Sequence, residues 1–243
     1  IKMRVATSVL RIAAFCFCLS AGSVMAETLP LAEPLISLNS ERGSRLLLES
    51  EANRSYWPLS IQFVTQKNQA FCGVATIVMV LNALGVPAPA TPEFEPFKTF
   101  TQDNLLNEET EKVLPVAVLS RIGMTLDQIG QILNTFSVKA DVRHAADSSL
   151  EEFRTLATQA LSAPNQYVII NYLRRSLGQE RGGHISPLAA YDADSDRFLV
   201  LDVSRYKYPP IWVQAADLFA AMNTPDSDNQ NRTRGFVLVT SGR

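Results

Sequence analysis

The sequence predicts an α+β fold in which a helical first half precedes an antiparallel β-sheet. In the first half, polar capping residues stand ahead of apolar runs with helical spacing. In the second half, short runs rich in β-branched, aliphatic and aromatic residues are typical of strands. The chain has 243 residues, 47% of them hydrophobic, and can bury a core without disulfides or metal ions. We find no internal repeat, so a single domain is expected.

The predicted helices follow from their start and stop signals. Residues 72–84 are almost wholly apolar and end before Gly85, where a left-handed cap is expected. Residues 86–100 are rich in proline and cannot form a regular helix. Three further helices are predicted, one over residues 40–51 and two behind the capping-box pairs Thr125 with Gln128 and Ser148 with Glu151.

The predicted strands lie in the second half of the chain. Asp194, Ser195 and Asp196 separate two of them and predict a hairpin turn. Helices followed by such hairpin-connected strands indicate the α+β class. The strands are predicted at residues 138–142, 167–172, 184–191, 198–203 and 236–240.

The first 26 residues have the layout of a secretory signal peptide. Arg4 and Arg11 stand before an apolar run over residues 12–19, and small residues up to Ala26 predict cleavage there. A short N-terminal membrane anchor is the alternative, but the apolar run is too short to span a bilayer. We therefore expect a signal peptide at 1–26, a single catalytic domain at 27–243, and a periplasmic or secreted protein without stable membrane insertion after signal removal.

Loss of that segment changes both the charge and the cysteine count. The formal net charge of −2 becomes −5, and no basic stripe is present, which excludes nucleic acid as an expected partner. Cys16 and Cys18 leave with the signal, so Cys72 remains as an unpaired thiol in an oxidising compartment. A zinc site of Cys and His ligands would need nearly all of the chain's three Cys and two His, and no metal site is expected.

Cys72 is the candidate nucleophile. It stands where the apolar helix should begin, and there the unpaired N–H groups and the helix dipole are expected to lower the pKa of the thiol. The backbone N–H of Cys72 and the side chain of Gln66, six residues upstream, are candidate donors for an oxyanion. The alternative is a non-enzymatic binding or scaffold protein in which Cys72 is a small buried hydrophobic residue.

His184 is the candidate base, and Asp202 is the candidate acceptor that orients it. His184 begins a predicted strand after Gly182 and Gly183, and Asp202 lies on the following strand at a similar distance from the turn. The two side chains meet if they share a face of the sheet, which a bulge would alter. His144 stands among charged residues and is expected on the surface, without a role.

Four segments of the chain resemble the phytochelatin synthase family in its short bacterial form. They are TQKNQAFCGVATIVMVLNALG around Cys72, GGHISPLAAYD around His184, FLVLDVSRYKYPPIWV around Asp202, and MNTPD followed by TRGFVLV near the end. The order Cys, His, Asp is also that of papain-like thiol enzymes. The resemblance implies a papain-like fold and an acyltransferase or hydrolase that attacks glutathione at its Cys–Gly bond.

The resemblance also implies roles for single residues. Cys72 would carry a γ-Glu-Cys thioester after release of glycine, and the acyl group would pass to water, which is favoured, or to a second glutathione, giving a short phytochelatin. His184 would be the general base and acid, Asp202 its orienter and Gln66 an oxyanion donor. The substrate-binding positions implied are Asn171, Gly183, Asp226 and Arg234.

Arg174 is a further candidate, because it stands in an arginine cluster before His184 that could pair with a carboxylate of the anionic substrate. The alternative for this cluster is a solvated loop. No cofactor is expected, and heavy-metal ions would act as thiolate complexes of the substrate. A homodimer is left open. The competing interpretation is a papain-like peptidase of the type that trims double-glycine leaders, since Gln followed by Cys-Gly at the start of an apolar helix also resembles that group.

Overall fold

The fold is built around an antiparallel β-sheet. The computed structural model describes residues 28–242, so the expected signal peptide lies outside the described residues. Within them, seven strands form the sheet: β1 (Ile36–Ser37), β2 (Val138–His144), β3 (Gln166–Leu173), β4 (Gly183–Asp192), β5 (Arg197–Val200), β6 (Ile211–Gln214) and β7 (Gly235–Ser241). Their order is β1-β6-β5-β4-β3-β7-β2, and all neighbours are antiparallel.

Helices cover both faces of this sheet. The described helices are α1 (Glu41–Glu49), α2 (Tyr56–Ile61), α3 (Cys72–Ala83), α4 (Glu108–Val113), α5 (Val116–Ile122), α6 (Leu126–Leu133), α7 (Leu150–Ser162) and α8 (Ala215–Met222). The apolar faces of α3 and α6 belong to one hydrophobic core, and those of α7 and α8 belong to a second. None of these described helices has the length and apolar character needed to cross a membrane. The predicted α+β class is confirmed.

Helix α3 begins at Cys72, where the sequence predicts a helix start. Its residues are buried as far as Leu81, which explains the apolar run. After the helix, Gly85 has a φ of +64°, a left-handed conformation that costs glycine little. The hydroxyl of Thr76 donates to the carbonyl of Ile185 on β4 at 3.3 Å. This bond ties the beginning of α3 to the beginning of β4.

Two boundaries differ from the prediction. Helix α7 is capped by Ser149, which accepts from the N–H of Glu152 at 3.1 Å, whereas Ser148 donates its hydroxyl to the Glu152 carboxylate. The sequence thus predicts this capping pair one residue too early. Strand β5 ends at Val200, and Asp202 follows the strand instead of lying within it.

A β-bulge in the β4–β5 hairpin decides where Asp202 points. The register of the two strands shifts by one residue between Leu188 and Ala190 of β4. Because side chains alternate between the faces of a strand, the shift turns everything beyond the bulge to the other face. Beyond it, His184 and Asp202 lie on the same face. Without the bulge they would point to opposite sides of the sheet.

Candidate active site

A cavity of about 340 Å³ opens where α3 and β4 begin, and both Cys72 and His184 line it. The backbone N–H groups of Gly73 and Ile185 face the Cys72 thiol. Since Ile185 is the neighbour of His184, the nucleophile candidate and the base candidate lie on adjoining parts of the wall. In the part of the chain that the structure describes, no hydrogen bond joins the thiol to the imidazole.

His184 contacts Asp202 through one ring nitrogen. The Nε2 atom lies 2.9 Å from Oδ1 of Asp202 and 3.0 Å from the hydroxyl of Ser186. All three side chains are buried. With the Nε2 proton donated to the carboxylate, Nδ1 is the nitrogen left to accept a proton.

Burial keeps the thiol and the imidazole uncharged. It raises the pKa of Cys72, and the N–H groups of Ile185 and Gly73 offset this rise only in part. The position of Cys72 at a helix N-terminus predicts a lowered pKa, and that prediction is wrong because desolvation outweighs the effect of the helix end. Burial likewise lowers the pKa of His184, against the opposing charge of Asp202. The resting pair is a neutral thiol beside a neutral base.

Asp202 remains ionised although it is fully buried. Burial alone would raise the pKa of its carboxyl, but the charges and hydrogen bonds of His184 and Arg174 hold that pKa well below its usual range. Arg174 donates to both carboxylate oxygens of Asp202, at 2.8 and 2.9 Å. It also donates to Gln179 at 2.8 Å and stacks over the ring of Tyr208.

These contacts correct the interpretation of Arg174 as a substrate-binding residue. Its side chain is 3% exposed and does not line the cavity, because its guanidinium is held by the protein's own carboxylate. A buried, bidentate Arg–Asp pair positions Asp202 and leaves no free face for a ligand.

Gln66 is buried near the site, but its side-chain amide already makes hydrogen bonds within the protein. Its Nε2 donates to the carbonyl of Asn68 at 2.6 Å and to the hydroxyl of Tyr206 at 3.2 Å, while its Oε1 accepts from Ser204. Gln66 does not line the cavity. An oxyanion role would require the longer bond, to Tyr206, to be released.

The four remaining predicted positions all line the cavity: Asn171, Gly183, Asp226 and Arg234. Arg234 Nη2 lies 3.3 Å from Asp226 Oδ1, and Arg234 Nη1 donates to the carbonyls of Thr224 and Pro225. Its Nε is buried and has no partner among the described residues. A Cβ atom at Gly183 would lie 3.2 Å from that Nε, so the glycine leaves room beside an unused donor.

The opposite wall of the cavity was not predicted. It consists of residues 120–125, where α5 ends and α6 begins, and includes the exposed Arg121. Met124 of this wall packs against Gly73, so the wall lies over the start of α3. The sequence predicts Thr125 as a helix cap, but no sequence pattern places residues 120–125 at the cavity, because only the tertiary packing of α5 brings them there.

The expectation of a surface position for His144 is wrong. Its side chain is 3% exposed, and Nε2 lies 2.8 Å from Oδ1 of Asp127. Its Nδ1 contacts the carbonyl oxygen of Thr233. Both partners are distant in sequence, and the strand pattern around His144 gave no sign of them.

Metal ligands do not cluster in this region. Over residues 28–242, no three His, Cys, Asp or Glu side chains converge in a way that could hold a metal ion.

The chain is similar in sequence to a known protein family and to several of its curated members. A family model described as phytochelatin synthase matches residues 26–236. Glutathione gamma-glutamylcysteinyltransferase 1 of Lotus japonicus is 32% identical over 210 residues, which are 85% of this chain and 40% of that protein. Glutathione gamma-glutamylcysteinyltransferase 2 of Arabidopsis thaliana is 30% identical over 86% of this chain and 46% of its own length. The Schizosaccharomyces pombe glutathione gamma-glutamylcysteinyltransferase is 29% identical over 79% of this chain and 45% of its own. The chain thus spans less than half the length of these curated relatives.

Proposed function

The chain belongs to the phytochelatin synthase family, and from that premise we propose that it is a thiol enzyme that cleaves glutathione at the Cys–Gly bond through Cys72. One observation supports this best. A single cavity is lined by the Cys72 thiol, the His184 imidazole and the ion pair of Asp226 with Arg234. Nucleophile, base and a charged binding end are then within reach of one small molecule.

The charges in the cavity complement the γ-glutamyl end of glutathione. That end carries an ammonium and a carboxylate on one carbon. Asp226 is a partner for the ammonium, and the unused Nε of Arg234 is a partner for the carboxylate. A leader peptide has no such paired charges at its cleavage site, so the peptidase interpretation is less well supported.

The proposed chemistry begins from the neutral pair. His184 Nδ1 accepts the thiol proton as Sγ attacks the carbonyl carbon of the Cys–Gly bond, and the resulting oxyanion is stabilised by N–H donors at the start of α3. His184 then gives the proton to the nitrogen of glycine as the C–N bond breaks. The product left on the enzyme is a γ-Glu-Cys thioester on Cys72.

Either water or the amino group of a second glutathione can accept the acyl group. Water would give γ-Glu-Cys, and a second glutathione would give a short phytochelatin. We favour water, because a cavity of about 340 Å³ is at the lower end of the range for small-molecule sites. Heavy-metal ions are proposed to take part as thiolate complexes of the substrate, and the protein is proposed to act after export.

Glycine release from glutathione tests this function. The wild type should release glycine and should carry a γ-Glu-Cys adduct on Cys72 when trapped and weighed by mass spectrometry. Cys72→Ser should lower turnover by about 10³-fold or more, because a hydroxyl is far less readily ionised at neutral pH. Its unfolding midpoint in urea should be close to that of the wild type, since the side chains are similar in size.

The same assay separates the competing functions. Cleavage of a double-glycine leader peptide without glycine release from glutathione would replace this proposal by the peptidase. No turnover of either substrate, with slow alkylation of Cys72 in the folded protein, would favour the binding protein.

A further inference from the structure

His144, the histidine that the proposed chemistry does not use, links two walls of the cavity. It ends β2 and lies opposite Gly235 of β7. Through Asp127 it contacts the first turn of α6, which directly follows the wall at residues 120–125. Through the carbonyl of Thr233 it contacts the loop at residues 224–234, which carries Asp226 and Arg234. A single buried ring therefore joins the two sides between which a substrate would bind.

Both hydrogen-bond neighbours of the His144 ring are oxygen atoms. A backbone carbonyl only accepts hydrogen bonds, and so does an ionised carboxylate. Partial burial alone would raise the pKa of Asp127, but the hydrogen bond and charge of His144, together with Arg232, hold that pKa below its ordinary value. The ring thus has an oxygen acceptor at each nitrogen, one on α6 and one on the loop.

The remaining charges around this link are few. Arg232, from the loop, donates to the second oxygen of Asp127 at 2.9 Å and lies 4.0 Å from Asp147. Arg143, the preceding residue on β2, pairs instead with Asp141 and Glu152. Asp127 thus contacts both His144, on β2, and Arg232, on the loop.

We propose that His144 is a positioning residue that holds the loop at residues 224–234 against the start of α6 and thereby sets the affinity for the γ-glutamyl end of the substrate. This inference rests on the proposed function. It assigns no chemical step to His144, since the ring does not line the cavity. Loss of the link should loosen Asp226 and Arg234 relative to the opposite wall while the pair of Cys72 and His184 stays in place.

Two substitutions of similar size each remove one of the two hydrogen-bond contacts of His144. His144→Asn retains a donor near Nδ1 and loses the bond to Asp127, whereas His144→Gln retains a donor near Nε2 and loses the bond to Thr233. Each should raise the KM for glutathione about tenfold and leave kcat within about twofold, as expected when loss of one hydrogen bond within the protein weakens ground-state binding. Asp127→Asn keeps the histidine and should act in the same direction, which covers the case of a His144 variant that does not fold.

Arg143→Gln is the matched control. It removes a neighbouring cation on the same strand that has no contact with the loop, and KM should not change. Equal losses of kcat and kcat/KM, or an unchanged KM in the folded variants, would overturn the inference.

A binding measurement separates this inference from the proposed function. Calorimetry with the Cys72→Ser protein gives the Kd of glutathione without turnover, and adding His144→Gln should weaken it about tenfold. If Cys72→Ser binds glutathione and the double variant binds equally well, only the inference fails. If the wild type neither binds nor cleaves glutathione, both fail.

Discussion

Asp202 is the residue on which the charges of the site converge. Its carboxylate accepts two hydrogen bonds from Arg174 and lies 2.9 Å from His184. A buried carboxylate is stable only while a cation compensates it. Arg174 is permanently charged and meets this need. His184 can therefore stay neutral without leaving Asp202 unpaired, and the neutral ring is the form that can take a proton from Cys72.

Arg174→Gln tests this division of roles. It leaves a fully buried carboxylate with His184 alone, and we expect a loss of about 3–5 kcal/mol in the free energy of unfolding, measured in urea. Arg174→Lys keeps the charge but not the bidentate geometry and should lose less. A substrate-binding arginine would behave differently, because its removal would raise KM at nearly constant stability. A stability within about 1 kcal/mol of the wild type would therefore contradict the positioning role.

The residues that sequence reasoning misjudged share one property. The partners that decide the roles of His144 and Arg174 lie far away in sequence, at Thr233 and Asp202 respectively. A lone histidine among charged residues and an arginine in a basic cluster both resemble solvated surface positions. Cys72 and His184 could be singled out because local signals mark them, a helix start and a strand start after glycines.

At the scale of elements, regular patterns were predictable and irregular ones were not. The long apolar run predicted the correct start of α3, and short runs rich in β-branched, aliphatic and aromatic residues predicted β3, β4 and β7 within one residue of their observed limits. Helices α2, α4 and α5 have six or seven residues each and are too short to give a periodic signal. The bulge between Leu188 and Ala190 has no marker in the sequence, yet it places Asp202 on the face of His184.

The start of α6 depends on a capping box that the sequence did predict. Thr125 accepts from the N–H of Gln128 at 3.3 Å, and Gln128 Oε1 accepts from the N–H of Thr125 at 2.9 Å. Thr125→Ala should lower the free energy of unfolding by about 0.5–2 kcal/mol, because the partly buried N–H of Gln128 loses its acceptor. Thr125→Ser keeps the acceptor and should remain within about 0.5 kcal/mol of the wild type. Equal stabilities of the Ala and Ser variants in urea would show that the cap contributes little.

At the scale of the whole molecule, the strand order assembles the site. Strand β3 lies between β4 and β7, and Asn171 of β3 is opposite both Ile185 and Gly235. The end of β3 and the starts of β4 and β7 thus meet at one end of the sheet, and the bond of Thr76 brings the start of α3 to the same place. The same packing removes water from the thiol and the imidazole. The uncharged state of Cys72 and His184 is therefore a consequence of the fold, and it should affect how the free energy of unfolding depends on pH.

The dependence of stability on pH measures that consequence. Burial lowers the pKa of His184, so the unfolded chain takes up a proton as the pH falls through about 6.5 while the folded protein does not. This group therefore contributes stability above that pH, and the contribution is lost on acidification. We expect the free energy of unfolding of the wild type to fall further between pH 7 and pH 5 than that of His184→Gln, in urea titrations at both values. Equal pH dependence in the two proteins would mean that His184 titrates with the same pKa in the folded and unfolded states, and a smaller fall in the wild type would mean that it is charged when folded. Either result would contradict a neutral imidazole beside a neutral thiol.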